Sequence, residues 1–346
     1  MGVPSVESRR ERVAEVTGLL TGVFAARATA GPVFVVVDGQ HAAEFADRLV
    51  EAMASAGQHH ARLTDARPLA DEDAWRAHRH PHEVVVADGP RWRTRPPAGT
   101  WDVVIYLRTA PRDGASGDSE HAASVVLDYH DPGWPVIRHL DAGLADRERW
   151  YLSESRAFFA VRAHTWDTRF GEDLPAYARA VAEAGLRTGD TALDLGCGTG
   201  RALPMLRAAV GPRGTVLGLD VTPAMLDTAR ERGRAERATL LLGDARRLPL
   251  AAGSVDAVFA AGLVNHLPEP RAGLAELARV TRPGGTLVVF HPSGRAALAA
   301  RHGRTLRPDE PLARPNLEAL LEAAGWRLTG YEDAEHQFLA VAARVV

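Results

Sequence analysis

Five short apolar runs dominate the C-terminal half: TALDL (191–195), TVLGLD (215–220), ATLLLGD (238–244), VDAVFAAG (255–262) and GTLVVFHP (285–292), with amphipathic helical stretches between them. Parallel strands need a crossover of a dozen or more residues, usually a helix, so this alternation confines the segment to an open, doubly wound α/β sheet. The end breaks the pattern. WRLTGYEDA (326–334) and HQFLAVAARV (336–345) lie too close together for a helix between them, which predicts a terminal antiparallel hairpin. A first α/β series precedes this one, with PVFVVVDG (32–39), a helix-like AAEFADRLVEAMASAG (42–57), EVVVADG (83–89) and WDVVIYL (101–107). At 346 residues the chain is long enough for two cores. The expected organisation is an α/β domain over 1–150, a helical connector or lid over 151–185 and a second α/β domain over 186–346. The stretch PRDGASGDS (111–119) reads as a loop.

Composition removes several classes of function. Basic and acidic side chains number 41 and 44, a formal net charge of -3, so no charge-driven grip on nucleic acid is advertised. Every basic residue is arginine; the chain has no lysine, which excludes lysine Schiff bases and a lysine phosphate clamp. A single cysteine, Cys197, rules out an intramolecular disulfide or a four-thiolate zinc site and fits a reducing compartment. No run approaches the ~20 apolar residues of a membrane span. The opening residues lack the order of a secretory signal. The expectation is a cytoplasmic protein without nucleic-acid, membrane or metal partners.

The sharpest local feature is DLGCGTG (194–200), between a predicted strand and a helical stretch. Gly196, Gly198 and Gly200 allow backbone torsions and close ligand approach that a Cβ would block, and a helix start offers free N–H donors. Three aspartates end successive strands around this loop. Asp220, twenty residues after Gly200, is placed to accept from both ribose hydroxyls. Asp244 is placed to meet an adenine amino group, and Asp194 to orient the loop or reach an ammonium. Each alone also reads as a turn former; together they outline a nucleoside pocket.

In these segments, and in VLGLDVTPAML, LLGDARRLPLAAGSVDAVFAAGLVNHLPEP and RPGGTLVVFHP, the chain from about 165 to 346 resembles the class I S-adenosylmethionine-dependent methyltransferases. The resemblance implies a Rossmann-like seven-stranded sheet ending in a reversed hairpin, and S-adenosylmethionine as cofactor. It assigns Gly196, Gly198 and Gly200 to the methionine moiety, Asp220 to the ribose, Met225 to a flank of the adenine and Asp244 with Ala245 to its edge; Asp194, Cys197, Val221 and Ala261 are further candidate cofactor-binding residues.

A sulfonium already activates its methyl group, so the protein mainly has to align an acceptor and exclude water. His266, in GLVNHLPEP, and His291, at the end of the fifth strand, are the candidate bases; each also reads as a packing residue beside the cofactor. Trp166, Phe170 and Tyr177 are candidates for an aromatic lid, with ordinary helix packing as the alternative. Arg295, with Arg301 and His302, is a candidate for holding an anionic group, or else a solvated helix face. The residues after the fourth strand, AAGLVNHL, lack the N-P-P-Y or D-P-P-Y of enzymes that methylate base amines, so a small-molecule acceptor is favoured.

VVVDGQHAAEFADRLVEAM in the first series resembles the opening strand, loop and helix of uridine-kinase-like P-loop proteins, weakly continued to about residue 160. A working loop needs G-x-x-x-x-G-K-[ST]; here the aligned positions are Gly39, Glu44, Phe45 and Ala46, so a catalytically inactive domain is expected, serving as scaffold, homodimer surface or acceptor wall. Asp38 and Asp88 read as strand-end caps. His59, His60, His78, His80 and His82 read as a solvated loop rather than a metal site. The rival readings are a cofactor-binding sensor without chemistry and an enzyme retaining kinase activity.

Overall fold

In a computed structural model of the chain, residues 4–66, 80–109, 123–170, 173–301 and 305–345 are described, with the side chains of Arg149, Arg169 and Phe170 excepted. The chain divides into two compact units, residues 2–154 and 155–346. The expected loop at 111–119, His78 and His302 lie outside the described residues.

The first unit is built on a six-stranded sheet in the order β2-β3-β1-β4-β5-β6, with β1 Val33–Gly39, β2 His60–Thr64, β3 Val84–Asp88, β4 Val103–Arg108, β5 Val125–Asp128 and β6 Val136–Leu140. β1 to β5 run parallel and β6 runs against β5. Unbroken β-branched runs such as VFVVV and VVV are buried on both faces, as parallel strands require. Helix α1, Val6–Ala28, starts where the Ser5 hydroxyl accepts the Ser8 N–H at 3.1 Å. Its Val16, Leu20 and Phe24 meet Phe45, Leu49 and Met53 of α2, Ala42–Ser55, in one core. One reading changes here: His60 opens a strand instead of lying in a solvated loop.

A buried ion pair ties this unit together. Arg12, 3% exposed, pairs with Glu154, donates to the Pro135 carbonyl at 2.8 Å and sits on α1; Glu154 also accepts the Ile137 N–H at 2.6 Å. Burial pushes the Glu154 carboxyl up and Arg12 works against that rise.

The second unit carries a seven-stranded sheet in the order β12-β13-β11-β10-β7-β8-β9, where β7 is Thr191–Leu195, β8 Thr215–Asp220, β9 Thr239–Leu242, β10 Val255–Ala261, β11 Thr281–His291, β12 Trp326–Ala334 and β13 Gln337–Arg344. β7 to β11 are parallel, and β13 runs antiparallel to both β11 and β12. The expected Rossmann-like sheet and terminal hairpin are both present. Helices cover both faces: Leu274 and Leu277 of Pro270–Val280, with Leu317 and Leu321 of Arg314–Ala323, on one, and Ala180, Leu203 and Leu206 on the other. The strand order reverses between β7 and β10, and ligands of such sheets bind at the carboxyl ends of the strands at that point. Among the described residues no helix is long and apolar enough to cross a membrane, and no three His, Cys, Asp or Glu are grouped to hold a metal ion.

Replacing Arg12 by Met strands the Glu154 carboxylate in the core. The expected cost is about 3–5 kcal/mol, read as a lower guanidinium midpoint for the first unit, whereas a loss below about 1 kcal/mol would show that the pair is screened by water.

Candidate active site

β7 ends in Asp194 and Leu195, and the chain then turns through Gly196 (φ 68°), Gly198 (φ 53°) and Gly200 (φ 78°), all left-handed. The loop is held from below by the Gly196 and Cys197 N–H groups, which donate to the Leu219 carbonyl at 2.8 and 3.0 Å. Gly200 has no room for a side chain, since a Cβ there would lie 2.9 Å from Leu203 and 3.1 Å from Ala229. At Gly198 the situation is the reverse. An added Cβ would meet the Gly196 carbonyl at 3.9 Å and the Met225 sulfur at 4.0 Å, ordinary van der Waals separations, so this position is uncrowded.

Asp220, at the end of β8, is 9% exposed and fastens the loop: it accepts the Gly198 N–H at 2.9 Å and the Thr222 N–H at 2.8 Å. Asp194 is 1% exposed, and its Oδ2 is enclosed without a hydrogen-bond partner. A buried carboxylate without a partner is costly. Burial, and then the neighbouring Asp220, push the Asp194 carboxyl up to about 8. The same enclosure pushes the Cys197 thiol and the Tyr177 phenol up, so both stay neutral.

The loop is also bolted from outside. Asp167, on the short helix Trp166–Phe170, accepts the Thr199 hydroxyl at 2.7 Å and pairs with Arg234 at 2.6 Å and with Arg232. Burial alone would raise the Asp167 carboxyl; Thr199 and the arginines outweigh it, leaving the group below its ordinary value. Arg201, 5% exposed, pairs with Asp173 and lies over the Tyr177 ring at 5.1 Å.

Beside the loop, Met225 is buried, and the Val221 carbonyl accepts the Arg156 Nε–H at 2.9 Å. Asp244 is gripped by Arg246 through contacts of 2.7–3.1 Å. Burial would raise its carboxyl, and Arg246 more than reverses that. Ala245 and Ala261 are half-buried against the two hydrophobic cores of this unit.

Three candidate residues have their side chains engaged by the protein itself. The Cys197 side chain packs into the sheet, where a Cβ on Gly218 would come within 3.2 Å of its sulfur. Tyr177 is a packing residue rather than part of a lid, with its ring 5.0 Å from Phe290 and 6.2 Å from Phe259. Arg295 is not available to a ligand anion, because Glu310 and Asp333 hold it, each at 3.4 Å. Trp166 lies 5.4 Å from Phe159, and Phe159 in turn lies 5.3 Å from His266. His291 is fixed by Ser293 through its Nδ1, 2.9 Å from the carbonyl and 3.1 Å from the N–H. Burial, and secondarily Arg301, lower its proton affinity, although the Ser293 carbonyl opposes this. Sequence reasoning missed Asp167, Thr199, Arg234 and Phe159, whose importance arises only from contacts distant in the chain.

Several known proteins are similar to this chain. A 37.1 kDa uncharacterized protein from transposon Tn4556 of Streptomyces fradiae is 44% identical over 107 residues, covering 31% of each chain. A demethylmenaquinone methyltransferase of Staphylococcus aureus is 37% identical over 116 residues, 33% of this chain and 48% of that one. The chain thus spans less than half the length of either relative. A solved S-adenosylmethionine-dependent methyltransferase from Aquifex aeolicus is 28% identical with a TM-score of 0.42, covering 50% of this chain and 92% of that one. Residues 193–289, the glycine loop through β11, match the family model of the methyltransferase domain. The C-terminal half of the chain carries a class I S-adenosylmethionine-dependent methyltransferase domain.

Proposed function

We propose that the chain transfers the methyl group of S-adenosylmethionine to an oxygen or nitrogen of a small-molecule acceptor by in-line displacement. The observation that carries this reading is the enclosed, unpartnered Oδ2 of Asp194 beneath three left-handed glycines at the switch point of the sheet. A carboxyl in that position fits the ammonium of a methionine moiety. The uncrowded backbone at Gly198 suits close approach of a ligand, Asp220 the ribose hydroxyls, and Met225 with Asp244 the adenine.

When bound, S-adenosylmethionine supplies a methyl group activated by positive sulfur. The protein's part is to place the acceptor, exclude water and remove a proton where the acceptor carries one. Asp167, Thr199 and Arg234 keep the loop from shifting. His291, made less basic by burial, is neutral near pH 7 and can accept a proton; His266 stands beside Phe159 as the second candidate.

We further infer that the first unit is a kinase-like domain without phosphate chemistry. Its parallel strand order β2-β3-β1-β4-β5 supports the likeness. Only Gln40 and His41 separate β1 from α2, and Glu44 lies in the helix, paired with Arg48 at 2.6 Å, so no backbone cradle stands where a phosphate loop would. Adding ATP with Mg²⁺ to the full chain should leave its thermal unfolding unchanged; a saturable rise in midpoint would contradict this.

The Asp194 carboxyl gives a signed pH dependence. Below about 8 it is mostly protonated, and a cationic ligand favours the ionised form, so binding releases a proton. The groups around it are Asp220, Tyr177 and Cys197, the latter two neutral in this range. Calorimetry should show affinity for S-adenosylmethionine rising between pH 6 and 8, by up to about tenfold per unit. Asp194→Asn should bind more weakly and lose the slope. A flat wild-type profile, or an equal slope in the variant, would sink the assignment.

A further inference from the structure

The segments that leave the adjacent strands β10 and β11 carry two different groups of side chains. One is aromatic. Phe159 is half-buried at the centre of three edge-to-face rings: Phe158 at 5.1 Å, Trp166 at 5.4 Å and His266 at 5.3 Å. His266 belongs to the segment that follows β10, and that segment crosses the glycine loop, since a Cβ on Gly196 would come within 3.2 Å of Leu263. The aromatic group therefore stands beside the ligand loop rather than inside a core.

The other group is basic. His291 ends β11, and its Cδ2 lies 3.9 Å from where a Cβ of Gly262 would be, at the end of the adjacent strand. Its Nδ1 is fixed by Ser293, whose hydroxyl accepts from Arg301 at 3.1 Å. Arg301 is the charge acting on the ring; Arg295 on the same helix is neutralised by Glu310 and Asp333.

We propose that the acceptor is a compound with a flat aromatic ring and an ionisable hydroxyl, its ring held by Phe159, Trp166 and His266 and its hydroxyl methylated after His291 removes the proton. The inference rests on the methyltransferase reading and names the substrate class of that site.

Three physical arguments select this chemistry. Flat rings gain most from a wall of ring edges and faces. A neutral imidazole close to a fixed guanidinium can deprotonate a phenol, with a reference value of about 10, because the arginine stabilises the oxyanion formed. An aliphatic alcohol is far too weak an acid for that base, and an alkylammonium would be repelled by Arg301. In the step, His291 takes the phenol proton. The oxygen then forms a bond to the methyl carbon as the carbon–sulfur bond breaks and its electron pair passes to sulfur. The imidazolium afterwards returns its proton to solvent.

The test uses the full chain loaded with S-adenosylhomocysteine and titrated calorimetrically with 2-naphthol, cyclohexanol and cyclohexylamine. Labelled-methyl transfer from S-adenosylmethionine to the same compounds and to 4-nitrophenol follows. 2-Naphthol should bind at least tenfold more tightly than either saturated compound and be methylated on oxygen. Phe159→Leu should weaken 2-naphthol binding about tenfold while leaving S-adenosylhomocysteine affinity unchanged. His291→Gln should lower kcat for 2-naphthol about 100-fold with little change in KM, and much less for 4-nitrophenol, which is already largely ionised. If S-adenosylhomocysteine binds but naphthol is neither preferred nor methylated, or if neither substitution discriminates, the acceptor assignment is overturned and the methyltransferase reading stands. Failure of S-adenosylhomocysteine to bind at all overturns both.

Discussion

A carboxyl group shut away from water must find a partner or give up its charge, and Asp194, whose Oδ2 has no protein partner, is pushed toward the neutral form. It sits near the end of β7, with Asp220 from the adjacent β8 close enough to raise its proton affinity further. Two buried acids side by side weaken a fold unless something positive joins them. The glycine loop above them is uncrowded at Gly198, while Gly196 and Gly200 are packed against Leu263 and Leu203. In the proposed reading, the enclosure of Asp194 beside Asp220 is what favours a cationic ligand.

That preference works only if the loop keeps its shape. Asp220 fixes the loop at Gly198 through an N–H bond, and the Leu219 carbonyl holds its start. From the outer side Asp167 joins Thr199 to Arg234, and Arg234 returns to the Thr199 carbonyl at 3.1 Å. The same short helix brings Trp166 to Phe159. The contact with the glycine loop and the contact with Phe159 thus come from two neighbouring residues of one segment, Asp167 and Trp166.

The parts of this arrangement that were legible in the sequence are those with local signals. Period-two and continuous apolar runs gave the strands, the Gly-x-Gly-x-Gly spacing gave the loop, and strand-end aspartates marked the pocket. The closely spaced final strands showed the hairpin. What stayed hidden depends on contacts across the chain. Asp167 matters because Thr199 and Arg234 come to it from 32 and 67 residues away, and no spacing rule announces that. Tyr177 and Arg295 each kept two readings for the same reason: a ring or a guanidinium can read as ligand-binding until Phe290, Glu310 or Asp333 is seen to occupy it. In the first unit, His60 was hidden in a histidine-rich stretch whose polarity masked a strand held by its pairing with β3.

The central claim is that the Asp194 carboxyl is neutral in the empty protein and becomes ionised when the adenosyl sulfonium binds. Infrared difference spectroscopy at pH 6.5 addresses it directly. The account predicts a protonated-carboxyl band in the free chain that disappears on adding S-adenosylmethionine and is missing from Asp194→Asn. A difference spectrum without that band, or one unchanged in the variant, would contradict it.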